Sequence, residues 1–362
     1  EALTSQTDLE DAQIVRAASL INGPTAIVTN EKRFDATGTD VQELTPSEVR
    51  DWLREPAPSI DLVDLKSQQD ALRPALEKNI HTVLRHGKYI LGPEVSELEE
   101  RLSEYTGSEH AVSCSSGTDA LLMALMALDV GPGDAVFTTP FSFIATADVI
   151  ARLGATPVFV DIDPSTYNLD PHKLEQAIQA VQANDSEIYP LPTDSLTNRG
   201  TDALIPKAVI PVDLYGLPCD YDHISSVVSS YNEKRGTRSE ERITIIQDGA
   251  QSFGAEYQGR LCPAQGDIGC TSFFPSKPLG AYGDAGALFT KDGDLAEKLR
   301  SIRVHGQGAS KYDTVRLGLK GRMDTLQAAI LLPRLEVYSR ELQQRRQAAE
   351  QYTQLLAATS ST

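Results

Sequence analysis

From about residue 60 onward, short apolar runs alternate with longer segments in which apolar residues recur at helical spacing. Residues 93–107 show the helical pattern, because Val95, Leu98 and Leu102 recur every three or four positions with acidic residues on the other face. Strands that alternate with helices indicate an α/β fold, a mostly parallel sheet with helices on both faces. Further helices are predicted over residues 171–181 and 221–231, and strands over residues 135–139, 157–160, 209–212, 243–247 and 270–274.

Residues 1–57 are set apart from this alternation and are predicted to be an N-terminal extension. A β-like run over residues 26–29 and a helix with Pro46 in its first turn are predicted there. Residues 55–58, Glu-Pro-Ala-Pro, are typical of a linker.

The remaining chain is predicted to hold a large domain over residues 58–305 and the start of a smaller domain over residues 306–362. From Asp324 onward the sequence predicts mostly one long helix rich in Gln, Arg and Glu. Two polar stretches, residues 184–202 and 233–242, are interpreted as surface insertions. Because the sequence ends soon after the long helix, we expect the smaller domain to be incomplete.

Charge and cysteine content narrow the class of protein. With 33 Lys and Arg residues against 51 Asp and Glu residues, the net charge is −18, so nucleic acids and anionic membranes would repel the surface. No apolar run approaches the length of about 18 residues that a membrane helix needs, and no signal peptide is recognised. Cys114, Cys219, Cys262 and Cys270 form no CxxC pair and are expected to be free thiols. We predict a cytoplasmic protein that binds neither nucleic acid nor membranes and holds no metal.

Ligands of α/β sheets bind beyond the carboxyl ends of the strands, so polar residues that follow predicted strands are the first candidates for a site. Ser116, Gly117 and Thr118 lead into a predicted helix, residues 120–128, whose free N–H groups could bind a phosphate. An ordinary helix cap explains the same three residues when they are considered alone.

Two further candidates follow apolar runs. Asp248 comes directly after the run over residues 243–247 and could hold a cationic ring nitrogen, or simply cap the next turn. Lys277 leaves a predicted strand into a glycine-containing loop. A desolvated lysine there could form a Schiff base, although most lysines are solvated surface groups. Together, a phosphate cradle, a ring-nitrogen carboxylate and such a lysine are the parts that pyridoxal 5′-phosphate requires.

Seven motifs carry a resemblance to a known family: residues 89–95 (YILGPEV), 116–121 (SGTDAL), 141–146 (FSFIAT), 161–163 (DID), 248–255 (DGAQSFGA), 272–277 (SFFPSK) and 322–329 (RMDTLQAA). Through them the sequence from Ile60 to about Tyr352 resembles the DegT/DnrJ/EryC1/StrS family of pyridoxal-phosphate sugar aminotransferases. The resemblance implies a fold-type-I architecture and transamination of a nucleotide-linked keto-sugar for polysaccharide biosynthesis. Residues 84–93 and 270–279 are similar to members that aminate UDP-2-acetamido-2-deoxy-3-oxo-glucuronate with glutamate.

The resemblance implies a role for four residues around the cofactor ring. Lys277 would bond to the cofactor aldehyde, and its being a lysine favours transamination over the dehydration that relatives with histidine there carry out. Asp248 would pair with the pyridine nitrogen, and Gln251 would lie near the ring hydroxyl. Phe143 would stack on the ring, although a core aromatic on the following helix is the alternative.

The resemblance also implies how the cofactor phosphate is held. Gly117, Thr118 and the Ser272 hydroxyl would bind it within one subunit. Lys320 stands where the family usually has an Asn that reaches the partner's cofactor phosphate, and it could act there as a point charge. A homodimer is expected, with residues 308–322 of one subunit near the other's cofactor.

Two departures from the family pattern keep other functions open. Ala285 replaces the usual second glycine of the loop after Lys277, and the domain that closes over the substrate is expected to be incomplete. A catalytically incompetent chain, either truncated or fused as an interaction module, is therefore an alternative. An enzyme of the same fold that acts on a non-sugar ketone is another.

Residues 1–55 have a separate and weaker resemblance to the C-terminal part of a PIN-type ribonuclease domain, in which clustered carboxylates hold divalent metal. The residues concerned include Asp8 and Asp11. Because the half that supplies the leading metal ligand is not matched, these acids are interpreted as solvated residues at a helix start.

Overall fold

The computed structural model describes the strands β1 (Thr25–Val28) and β2 (Val41–Leu44) and residues 64–192, 203–235, 242–310 and 312–359. The chain divides into two compact units, Glu1–Asp64 and Leu65–Thr362. In the first unit β1 and β2 pair in parallel, with Thr25 opposite Val41. The PIN resemblance around Asp8 and Asp11, the helix predicted near Pro46 and the linker lie outside the described residues.

The second unit is built on a seven-stranded sheet. The strands of this sheet are β3 (His110–Cys114), β4 (Asp134–Thr138), β5 (Thr156–Phe159), β6 (Ile205–Ile210), β7 (Thr244–Asp248), β10 (Ile268–Ser272) and β11 (Gly286–Thr290). A small hairpin consists of β8 (Glu256–Tyr257) and β9 (Arg260–Leu261). The order in the sheet is β3-β11-β10-β7-β6-β4-β5. Only β11 runs antiparallel to its neighbours, while β8 and β9 form the separate antiparallel hairpin.

Eight helices surround this sheet in the part of the chain that the structure describes. They are α1 (Leu65–His86), α2 (Pro93–Thr106), α3 (Gly117–Ala127), α4 (Ala145–Arg152), α5 (Pro171–Ala183), α6 (Tyr221–Arg235), α7 (Gly293–Ile302) and α8 (Thr325–Thr359). The start of α5 shows ordinary capping chemistry: the Asp170 carboxylate accepts the N–H of His172 at 2.8 Å, and Pro171 occupies the first turn.

The sheet is buried on both faces, which explains its nearly continuous apolar strands. On β4, Val136 packs into a cluster with α3, α4 and α7, whereas Ala135 and Phe137 pack with α5 and α6. On β11, Phe289 faces a third cluster formed with α2 and α8. This alternation is the two-residue period of a strand, and it places helices over both faces.

The predicted α/β class is confirmed, and each predicted strand is present within four residues of its predicted bounds. Two strands of the seven-stranded sheet, β3 and β11, were not predicted, and neither were β2 and the hairpin strands β8 and β9. β11 follows β10 without an intervening helix, so the alternation of strands and helices does not reveal it. The domain boundary at residues 305 and 306 stays a prediction, and most of both predicted insertions, residues 193–202 and 236–241, lies outside the description.

Two further observations concern membrane-spanning helices and the cysteines. None of the described helices is long and apolar enough to cross a membrane. All four cysteines are free and buried, as expected.

Candidate active site

A cavity of about 530 Å³ opens at the carboxyl ends of the central strands. Seven of the eight predicted site residues line it, and Lys320 does not. The lining residues are Ser116, Gly117, Thr118, Leu121, Ser142, Phe143, Ala145, Thr146, Val212, Asp248, Ala250, Gln251, Ser272, Phe274, Ser276, Lys277 and Asp284. The strand ends thus bring together residues that are separated by up to 168 positions in the sequence, from Ser116 to Asp284.

One wall of the cavity is the N-terminus of α3. Ser116 caps this helix, since its Oγ accepts the N–H of Asp119 at 3.0 Å. The N–H groups of Gly117 and Thr118 belong to the first turn, where no partner exists within a helix. N–H groups in this position can bind an anion, and the helix dipole adds to the attraction. The ordinary helix cap is present, and it does not use these two N–H groups because it is made by the Ser116 side chain.

Gly117 lies against the end of β10. A Cβ atom at position 117 would be 2.6 Å from the Cβ of Ser272, and one at Gly286 would be 2.5 Å from the carbonyl carbon of Ser116. Two glycines are thus required for the α3 N-terminus to pack directly on β10 and β11. This contact puts the Ser272 hydroxyl beside the first turn of α3.

Asp248 is the last residue of β7, the middle strand of the sheet, and is 6% exposed. Its Oδ2 accepts the Thr146 hydroxyl at 2.9 Å, and its Oδ1 accepts the N–H of Ala250 at 3.2 Å. Burial raises the pKa of the Asp248 carboxyl, and these hydrogen bonds oppose the rise. The carboxylate does cap the next turn, as the alternative had it, and it also lines the cavity.

Lys277 is half-buried in the loop between β10 and β11 and lines the same cavity as Asp248. Its N–H donates to the carbonyl of Phe274 at 2.8 Å, which tightens the turn. Helix α8 holds the rest of the loop, because Arg334 donates to the carbonyl of Gly280 and the side chain of Gln327 accepts the N–H of Tyr282 at 3.0 Å.

The two remaining ring residues, Phe143 and Gln251, also line the cavity. Phe143 is in the loop before α4 and is 68% exposed, so the alternative that it is a core aromatic on that helix is wrong. The Oε1 of Gln251 accepts the N–H of Tyr215 at 2.6 Å. Tyr215 has a left-handed backbone conformation, with a φ of 56°.

Lys320 is exposed and forms a short antiparallel bridge with Val304. The structure of one chain therefore does not bring it to the cavity. In the same segment Leu317 is 87% exposed. Contact of residues 308–322 with a partner's cofactor stays a prediction.

Among the lining residues that the sequence did not single out, five have polar or aromatic side chains: Ser142, Thr146, Phe274, Ser276 and Asp284. The side chain of Thr146 contacts a predicted residue: its hydroxyl donates to Oδ2 of Asp248 and is 3.1 Å from the Ser142 hydroxyl. The rule that singled out Asp248, a polar residue soon after a strand, applies equally to Ser142 after β4. It could have identified that residue.

Comparison with known proteins gives consistent matches. A model of the DegT/DnrJ/EryC1/StrS aminotransferase family matches residues 71–362. The UDP-2-acetamido-2-deoxy-3-oxo-D-glucuronate aminotransferase of Pseudomonas aeruginosa is 47% identical over 293 residues, which are 81% of this chain and 72% of that protein. A UDP-N-acetyl-3-dehydro-alpha-D-glucosamine 3-aminotransferase of Acidithiobacillus ferrooxidans is 40% identical over 82% of this chain and 71% of its own length.

Solved structures agree with these matches. A DegT DnrJ EryC1 StrS aminotransferase from Brucella abortus superposes with a TM-score of 0.74 at 43% identity, over 83% of this chain and 73% of that one. The PLP form of a sugar aminotransferase from Streptococcus pneumoniae, Spr1654, gives a TM-score of 0.65 at 29% identity, over 78% and 68% of the two chains.

The Gly117 contact leads to the first prediction. Gly117→Ala would force a Cβ atom into Ser272, so we expect it to lower the affinity for pyridoxal 5′-phosphate by about tenfold or more and the free energy of unfolding by about 1–3 kcal/mol. Gly131→Ala is the matched control, because a Cβ atom there meets nothing within 4 Å. Titration with pyridoxal 5′-phosphate and with phosphate-free pyridoxal measures the effect. Equal loss for both ligands would contradict a role in phosphate binding.

Proposed function

The chain belongs to the DegT/DnrJ/EryC1/StrS aminotransferase family, and we propose that it transfers an amino group from glutamate to a UDP-linked 3-keto-hexuronate. Family membership makes it a sugar aminotransferase with pyridoxal 5′-phosphate as its cofactor. The observation that carries the proposal is one cavity lined by Lys277, Asp248 and the N-terminus of α3. The 47% identity to the P. aeruginosa enzyme supports the sugar and the keto position.

The residues of the cavity fit this cofactor. The first turn of α3 offers N–H groups to a phosphate, and the space beside Gly117 is one that a side chain would fill. A buried carboxylate with a raised pKa, Asp248, stands where a cationic ring nitrogen would compensate its charge. Lys277 shares the cavity with both. A chain that has lost catalytic function would not need to retain all three.

When bound, pyridoxal phosphate supplies an electron sink that makes the carbon next to the transferred amino group acidic. The protein would supply orientation and charge. Gly117, Thr118 and Ser272 would bind the phosphate. Phe143 would cover the ring and exclude water, and Gln251 would donate toward the ring hydroxyl.

Asp248 and Lys277 would carry the protons of the reaction. The Asp248 carboxylate would hold a proton on the ring nitrogen throughout. The Nζ atom of Lys277 would take a proton from glutamate as it becomes 2-oxoglutarate. It would deliver a proton to the sugar carbon that gains the amino group.

We also propose that the chain acts as a homodimer in the cytoplasm and that its product enters cell-surface polysaccharide. Residues 308–322 carry Arg316, Lys320 and Arg322 in a chain of net charge −18. Such a local basic segment suits an anionic ligand, here the partner's cofactor phosphate or the substrate diphosphate. Free thiols support a reducing compartment.

Turnover of a substrate panel tests the function. With glutamate as donor, we expect a UDP-linked 3-keto-hexuronate to be aminated faster than dTDP- or 4-keto-sugars, with 2-oxoglutarate and the amino sugar measured by mass spectrometry. Lys277→Ala should abolish turnover and covalent, borohydride-fixable attachment of the cofactor. Lys291→Ala, at an exposed lysine that follows β11, should change neither. Preference for a non-sugar ketone, or attachment that survives in Lys277→Ala, would reject the assignment.

The variant Asp248→Asn is expected to have opposite effects on the affinity for the cofactor and on the stability of the cofactor-free protein. A neutral amide cannot compensate a ring-nitrogen cation, so we expect affinity for pyridoxal 5′-phosphate to fall about tenfold or more and most of the rate to be lost. Burial raises the pKa of Asp248, so its negative charge destabilises the cofactor-free protein at any pH above the ordinary pKa range of an aspartate. The variant's melting temperature without cofactor should therefore equal or exceed the wild type's at pH 8, and the two should converge as the pH falls. Wild-type affinity would mean that Asp248 only caps the turn.

Mixed dimers test the shared site. A Lys277→Ala subunit and a Lys320→Glu, Arg322→Glu subunit should each be inactive alone. If residues 308–322 serve the partner's site, one site of a heterodimer combines intact parts of both chains, and activity should partly return. Native mass spectrometry measures how much heterodimer forms. Heterodimers without activity would assign both groups to the site of one subunit.

A further inference from the structure

Asp213 is a fully buried carboxylate beside the cavity, in the stretch between β6 and the short 3₁₀ turn Leu214–Gly216. It does not line the cavity. Its Oδ1 accepts the N–H of Cys219 at 3.0 Å and the Tyr221 hydroxyl at 2.7 Å. Its Oδ2 accepts the Nε2 of Gln247 at 2.7 Å and the Ser252 hydroxyl at 2.6 Å.

These four donors match the capacity of one carboxylate. A carboxylate accepts about four hydrogen bonds, two at each oxygen. The Cys219 N–H and the Gln247 amide can only donate here, so both oxygens act as acceptors. Burial raises the pKa of Asp213, and the four hydrogen bonds act against that rise. Such an arrangement is rigid, because each donor is held by a buried charge-assisted hydrogen bond.

The two donors to Oδ2 bracket Asp248. Gln247 precedes Asp248 on β7, and Ser252 closes the turn after it, with its N–H donating to the carbonyl of Gly249 at 3.2 Å. The backbone adds a third link, since the N–H of Asp213 donates to the carbonyl of Asp248 at 3.1 Å. The donors to Oδ1, by contrast, are at or just before the start of α6.

The segment of Asp213 also contacts the second ring residue. Two positions further along, the N–H of Tyr215 donates to the Oε1 of Gln251 at 2.6 Å. Asp248 and Gln251 are thus both held from the stretch that contains Asp213, although neither side chain hydrogen-bonds to the Asp213 carboxylate.

We propose that Asp213 is a positioning residue: its buried carboxylate holds residues 247–252 from both sides of Asp248, so that Asp248 and Gln251 face the cofactor cavity. This inference rests on the proposed function for the roles of Asp248 and Gln251. A carboxylate that only joins β6, β7 and α6 would stabilise the fold without orienting the cofactor site.

Two single-hydroxyl variants distinguish these roles. Ser252→Ala removes a donor on the Asp248 side, and Tyr221→Phe removes a donor on the α6 side of the same carboxylate. Both delete one neutral hydroxyl bond to the same buried acceptor, so we expect similar decreases in melting temperature. Replacing Asp213 itself would strand all four donors and is not needed.

The first measurement is hydrogen–deuterium exchange of the cofactor-free protein, followed in peptides that cover residues 247–252. Ser252→Ala should speed exchange there by about fivefold, the effect of losing one hydrogen bond. Tyr221→Phe should leave exchange in these peptides at the wild-type rate. The second measurement is the dissociation constant for pyridoxal 5′-phosphate, which should rise by about fivefold in Ser252→Ala and stay within about twofold of wild type in Tyr221→Phe.

Equal effects of the two variants on exchange and affinity would overturn the proposal and leave Asp213 a purely structural residue. So would wild-type exchange in Ser252→Ala. A wild-type protein that fails to bind pyridoxal 5′-phosphate would reject the proposed function, while the exchange rates would still decide whether Asp213 holds the segment.

Discussion

The burial of one carboxylate at the carboxyl end of the middle strand is the constraint around which the site is organised. Asp248 is 6% exposed, and a buried charge costs free energy unless hydrogen bonds or an opposite charge compensate it. Thr146 on α4 and the N–H of Ala250 supply part of that compensation. The cavity in front of the carboxylate leaves room for a cationic ring, which would supply the rest. Burial raises the pKa of this carboxyl, and a cationic ligand group bound in front of it would lower the cost of its charge.

Close contact between backbones sets the other end of the site. Because β11 is inserted antiparallel between β3 and β10, the N-terminus of α3 lies next to the end of β10. Gly117 and Gly286 permit this approach, since side chains at either position would overlap backbone or Ser272 atoms. The phosphate of a ligand would thus be bound beside the end of β10 and its ring at the end of β7. The distance between the two is determined by the spacing of strands in the sheet.

Elements outside the sheet keep the site rigid. Helix α8 holds the loop of Lys277 through Arg334 and Gln327. Arg334 is 2% exposed, and its guanidinium is 5.9 Å from the centroid of the Tyr282 ring. Asp213 is hydrogen-bonded to residues before and after Asp248. Rigid support of this kind lowers the reorganisation needed when charge moves in a reaction.

The sequence alone was sufficient to predict the α/β class and most helices. Of the eight residues that it predicted for the site, seven line the cavity. Helical spacing and apolar runs indicate which residues of a helix or strand are buried. Ligands of α/β sheets bind beyond the carboxyl ends of the strands, so the predicted strand ends indicate where the site lies. The resemblance to the family added the roles of Gln251, Phe143 and Ser272. Only the tertiary structure showed that Thr146 and Asp213 support Asp248, because hydrogen bonds between residues 102 or 34 positions apart leave no periodic pattern. It also decided the position of β11, whose antiparallel pairing depends on its neighbours in the sheet and not on its own five residues. The position of Lys320 away from the cavity likewise depends on a distant residue, because its backbone forms an antiparallel bridge with Val304, 16 positions earlier.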